Sequence, residues 1–230
     1  MEQLLERKQQ KKLIKKEKSA RFFKALFNRR LVILGVVGFL FFLFLAIFAD
    51  VLTPYDPNAT NASAILQGPS RQHLLGTDNF GRDTLTRILY GARVSIIVGV
   101  VAVSIACIVG VFFGMCAAYF DGWVDTIIMR LSEALMSVPR IMVSLVLITI
   151  IGNSIFDLAV ILSVSTIPSY VRMMRAMALG IKNSDYVKAA EIQGGRSLYI
   201  MFRHVLPNSI SPIIIMMMQN VGTTILMESG

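Results

Sequence analysis

VSIIVGVVAVSIACIVGVFFGMCAA, residues Val94–Ala118, runs without one charged side chain. A helix rises about 1.5 Å per residue, so this run crosses the roughly 30 Å hydrocarbon core of a bilayer with residues to spare. Lipid offers no hydrogen-bond partners, and a helix satisfies its backbone from within. Gly110 and Gly114 form GVFFG, a spacing that lets a second helix approach closely. Cys107 and Cys116 lie about 13 Å apart along such a helix, beyond disulfide reach, and read as small packing groups.

Outward from this span the pattern repeats. Leu31–Ala49 is also uncharged and reads as a first span. Before it, residues 1–30 carry eleven Lys and Arg against three Glu, while the whole chain has net charge +9. Basic residues against an apolar span fit a cytoplasmic anchor facing the lipid surface, so nucleic acid is not an expected partner. The basic region is too long for a signal peptide and no A-x-A cleavage site follows it. Residues 50–93, with Pro54, Pro57 and Pro69, read as a polar extracytoplasmic loop.

Residues 94–230 read as the helical core. The chain turns at Tyr119–Trp123 and enters a mixed span, Asp125–Ile151, in which Arg130 and Glu133 are spaced to pair. Pro139 is expected to kink or break that span. Gly152–Asp157 is read as a turn, Leu158–Ala178 as a fourth span, 179–208 as a cytoplasmic loop and Ser209–Met227 as a fifth span. Five spans starting inside finish outside, and the sequence is expected to stop short of a sixth.

The composition, 55% hydrophobic and 16% charged, excludes a soluble enzyme. GGRS at 194–197 lacks the spacing and the lysine of a phosphate-binding loop. No HExxH occurs, and His73 and His204 fall on opposite membrane sides by this topology, so neither a metal nor a cofactor is expected in the chain. No Ser–His–Asp set is apparent. The span centres carry neither the carboxylates nor the internal repeat of a stand-alone secondary transporter, which with a channel is the alternative function.

The loop NSDYVKAAEIQGGRSLYIMFRHVLPNSISP, residues 183–212, is the most informative stretch. Ser184 or Asp185 is placed to cap a helix that Gly194-Gly195 ends, and Ser197 to cap a second helix terminated by Pro207. Ala189 and Ala190 give the first helix a smooth face that fits a partner's groove. By composition alone an interfacial helix without a partner is the competing reading.

The same stretch resembles the EAA motif of ABC-importer permeases: E-A-A, three residues, G, nine residues, I-x-L-P. Ala189, Ala190, Gly194, Leu206 and Pro207 stand at the matching positions, with Lys188 in place of the Glu and His204 in place of the Ile. HLLGTDNFGRDTLTRILYGARVSIIVG (73–99), AAYFDGWVDTIIMR (117–130) and RHVLPN (203–208) are similar to the dipeptide, oligopeptide and nickel permeases, nearest their C subunit. The resemblance implies an all-α, type I ABC-importer permease bundle in the bacterial cytoplasmic (inner) membrane. It implies a second homologous permease, two cytoplasmic ATPases that bind ATP and Mg, and an extracytoplasmic solute-binding protein as partners, with no catalysis in this chain. Lys188, Ala189, Ala190, Gly194, Leu206 and Pro207 would meet the ATPase, and Glu191, one turn beyond Lys188, would supply the carboxylate that Lys188 lacks. Pro139, Pro168 and Pro212 are read as helix breaks near the solute path, although prolines are also simply common in membrane helices.

Overall fold

In the computed structural model, residues 30–152 and 154–228 are described; the basic segment read over 1–30 lies, all but Arg30, outside them. Among the described residues the regular elements are helical, with one isolated bridge between Thr77 and Asp83. They form two compact units that divide between Arg93 and Val94, each described by itself. Among the described residues, four helices are long and apolar enough to cross a membrane, or five when one bent pair counts as a single span.

In the first unit, α1 (Arg30–Ile47) is apolar all round and exposes nearly every side chain, as a helix surrounded by lipid does. A single turn, α2 (Ala49–Leu52), follows. Arg93 holds this end of α1: Nε donates to the Ala46 carbonyl at 2.8 Å and Nη2 to Asp50 Oδ2 at 2.8 Å.

The polar segment that follows is knitted by its own side chains. Thr77 Oγ1 donates to the Ala64 carbonyl and accepts from the Gln67 N–H. Asp83 begins the next helix: its carboxylate accepts from the Thr86 N–H at 2.8 Å and Thr86 Oγ1 at 2.7 Å, and its other oxygen meets His73 Nδ1 at 2.9 Å. Burial works to raise the Asp83 pKa, but the Thr86 and His73 hydrogen bonds outweigh it and leave it lowered. Gly81 (φ +71°) sits against the Asn61 backbone with no room for a Cβ.

With Asp83 as cap, α3 runs from Thr84 to Phe120. It starts ten residues before the expected span, because a helix cap and not the end of the charged residues sets its boundary. In the second unit, Gly110 and Gly114 of α3 pack on α6 (Ile155–Lys182): a Cβ at Gly110 would meet the Ile167 carbonyl at 2.8 Å. Val103, Cys107, Val111 and Met115 of α3 interlock there with Tyr170, Met174 and Ala178 of α6.

After the turn at Asp121-Gly122, both at positive φ, α4 (Gly122–Ser137) and α5 (Arg140–Ile151) replace the single mixed span. They are bent by 95° across the break. Pro139 drives Val138 into extended backbone (φ −98°, ψ 133°), so α4 must end before it. Arg130 and Glu133 pair on α4 at 3.0 Å. Asp157 is not a turn residue: it completes a reciprocal cap with Ser154 and starts α6. Pro168 and Pro212 lie inside unbroken helices, so only Pro139 marks a break.

Charged side chains tie α6 to its neighbours. Arg175 Nε and Nη2 reach both oxygens of Asp125 on α4 at 2.5 Å. Lys182 Nζ donates to the Ala118 and Tyr119 carbonyls at the end of α3 and to Asp121 Oδ2, which satisfies acceptors a helix C-terminus leaves open.

Candidate coupling surface

Beyond α6, the chain forms α7 (Asp185–Ile192) and α8 (Ser197–Ile200) around a glycine turn. The turn is a two-bond cap: Gly195 N–H donates to the Ala190 carbonyl at 3.0 Å and Gly194 N–H to the Glu191 carbonyl at 2.9 Å. Gly194 has φ +80°, a conformation that costs an L-residue about 1–2 kcal/mol. Gly195 is required for a different reason, since a Cβ there would lie 2.8 Å from the Ala190 carbonyl.

Ser184 stands at the N-cap of α7, but its hydroxyl donates backward to the Ile181 carbonyl at 2.6 Å and makes no cap bond. Arg196, not Ser197, occupies the N-cap of α8. The larger correction concerns Pro207. The chain does not end a helix there; it passes through a π-helical turn, Met201–Val205, into α9 (Leu206–Glu228). The Leu206 N–H reaches back five residues to the Met201 carbonyl. A proline in the first turn after such a register change forgoes a donor without ending the helix. Asn208 Nδ2 donates to the His204 carbonyl at 2.7 Å. The 179–208 loop is therefore helix at both ends, to Lys182 and from Ser197.

Lys188, Ala189, Glu191 and Gly194 are exposed, and Ala190 is half-buried. Leu206 is half-buried, and Pro207 is exposed on the neighbouring helix. Val187, on the side of α7 away from Ala189, is wholly buried, in one cluster with Met115, Ala118, Ala178, Ile200 and Met201. Ala190 packs against the same cluster, so the short helix is keyed into the bundle along one side. Glu191 is engaged within the chain, since Tyr119 Oη donates to its Oε1 at 2.9 Å. His204 stands between Tyr186 and Tyr199, with ring centroids 6.4 and 6.0 Å away.

Sequence reading missed Val187, Tyr119 and the tyrosines around His204. The alternation of Val187 with polar neighbours was a faint signal for the first. Nothing local marks Tyr119, seventy-two residues from Glu191.

Residues 110–229 match the family described as binding-protein-dependent transport system inner membrane component, and residues 19–69 match the N-terminal TM domain of oligopeptide transport permease C. The chain is 38% identical to the dipeptide transport system permease protein DppC of Alkalihalophilus pseudofirmus, over 89% of this chain and 67% of that one. It is 34% identical to DppC of Haemophilus influenzae, over 86% and 70%. Identity to the glutathione transport system permease protein GsiD of Pectobacterium atrosepticum is 31%, over 89% and 68%. The chain belongs to the binding-protein-dependent transport permeases of the inner membrane, as an ABC-importer peptide permease of the C type.

Proposed function

We propose that this permease pairs with a second, homologous permease to form the translocation path for a peptide or related small solute, and that residues 184–207 dock on one of two cytoplasmic ATPases. In this reading the ATPases bind ATP and Mg and this chain carries out no catalysis. An extracytoplasmic protein delivers the solute, the N-terminus is cytoplasmic and residues 50–93 face outward. The relatives named for peptides and glutathione support the solute class.

The observation that carries the coupling role is the two-sidedness of α7. Val187 is locked in the core while Lys188 and Ala189 are presented to the surface. A short helix fixed on one side and bare on the other moves with whatever holds its bare side, and passes that motion to α6 and α9 through Val187. Lys188 at the position of the family's Glu changes the charge offered to the ATPase, so the docking groove should present an acid there.

The test is the complete complex, with its co-expressed neighbours, reconstituted with Gly194→Pro. Proline fixes φ near −65° and removes the N–H that Glu191 accepts, so the turn cannot form. Loss of solute uptake from a complex that still assembles and hydrolyses ATP is the expected result. Uptake that persists with no ATPase bound would favour a secondary transporter or channel instead.

A further inference from the structure

Arg140 begins α5, immediately after the Pro139 break. Its Nη2 donates to Ser169 Oγ at 3.1 Å. Ser169 is the fifteenth of the 28 residues of α6, so the guanidinium sits near the mid-length of a helix about 42 Å long. Asp125, Asp121 and Glu133 neutralise Arg175, Lys182 and Arg130, whereas Arg140 makes no ion pair among the described residues. A cation at that depth faces protein or water and not lipid.

The space nearby is lined from the next residue, Ile141, onward, and the Arg140–Ser169 pair stands beyond that lining. A cavity of about 460 Å³ lies between α5, α6 and α9, with Ser144 and Ile148 on one wall and Ile161 on another. Arg140, Ser144 and Ile148 follow one another at four-residue steps along one face of α5, and Ile161, Ser165 and Ser169 do the same on α6. The two rows run from the cavity walls to the Arg140–Ser169 pair. Glu228, the one carboxylate on the lining, accepts from Ser95 Oγ at 2.7 Å and makes no ion pair with Arg140.

We propose that Arg140, steadied by Ser169, receives the carboxylate of the solute as it moves beyond the Ile141 end of this cavity, the C-terminal carboxylate in the case of a peptide. The proposal rests on the importer reading above. The guanidinium is a planar fork of five N–H donors, of which Ser169 takes one, and the remainder suit a two-point grip on a carboxylate. Such a grip selects for a negative terminus without reading the side chains of the solute.

The experiment compares ATP-driven uptake of trialanine and of trialanine amide by the complete complex in proteoliposomes. Arg140→Gln is expected to raise the KM for trialanine about tenfold or more, the worth of one charge-assisted hydrogen bond, and to leave the amide nearly unaffected. Arg140→Lys, which keeps the charge, is expected to recover most of the loss, and Ser169→Ala to shift the same KM a few-fold in the same direction. Equal slowing of both peptides by Arg140→Gln in an active complex overturns the assignment. Loss of the second permease from the purified Arg140→Gln complex also overturns it, since Arg140 would then be pairing with an acid of that subunit. A wild-type complex that takes up neither peptide overturns the assignment of a peptide carboxylate, and solute uptake with no ATPase bound overturns the importer reading with it.

Discussion

Replacing Gly114 by alanine tests the helix crossing that organises the second unit. The added methyl would lie 2.5 Å from the Val171 carbonyl oxygen and 2.8 Å from Met174 Cβ. Ordinary contacts of these kinds begin near 3.3–3.5 Å, so α3 and α6 must separate by roughly 1 Å. Overpacking of this order costs about 1–3 kcal/mol. Against it stands the gain of about 1 kcal/mol from removing a glycine within a helix. The net is a loss of up to about 2 kcal/mol. Gly222 on α9 is the internal control, because a Cβ there meets nothing within 4 Å. Gly222→Ala keeps the helix gain with no clash, so the two variants should differ by about 1–3 kcal/mol. Thermal unfolding of the purified complex, with the variants measured side by side, reads the difference. A Gly114→Ala midpoint equal to or above that of Gly222→Ala would refute close helix contact at this site.

Two further outcomes follow from charged groups. Asp125 and Arg175 form a two-point pair between α4 and α6; a double-mutant cycle with Asp125→Asn and Arg175→Gln should give a coupling of about 0.5–3 kcal/mol in unfolding, and strict additivity would show the pair to be idle. Asp78 accepts from Arg82 Nε at 2.8 Å and from the N–H groups of Phe80 and Arg82, and the Arg82 hydrogen bond foremost holds its pKa down to about 2. A lowered folded-state pKa means that the stabilisation is full above about pH 4 and fades as pH falls toward 2. Resistance of residues 61–83 to pepsin should decline across that range, and Asp78→Asn should flatten the decline; an unchanged profile in the variant would place the acid sensitivity elsewhere.

The spans were legible because length and absence of charge are local properties, read directly from Leu31–Ala49 and Val94–Ala118. The glycine turn was legible for the same reason, since a Gly-Gly pair closing an eight-residue helix leaves few alternatives. Boundaries set by side chains were not. Asp83 starts α3 ten residues early because its carboxylate finds Thr86, and Asp157 starts α6 because it finds Ser154. Pro207 misled for a physical reason: proline ends a helix whose hydrogen bonds reach back four residues, and here a five-residue step precedes it. In the candidate site, the exposure of Ala189 followed from its sequence pattern, whereas Ala190, read as part of the same surface, packs against the core. The anchor of α7 in the core and the tie from Tyr119 to Glu191 depend on residues far apart in the chain, which no local pattern encodes.

The passage of α8 through the π-helical turn into α9 gives one apolar helical stretch from Ser197 to Glu228. A rod of 32 residues is about 48 Å long, and tilting it by about 10° about one end sweeps the other through roughly 8 Å. The arrangement has the proportions of a lever, with the glycine turn at the tip of its short arm and the membrane-crossing helix as the long one. A nudge of an ångström or two near Gly195 would thereby be geared up along the helix. The stiffness of the five residues Met201–Val205 sets how much of that travel arrives and how much is lost to flexing on the way.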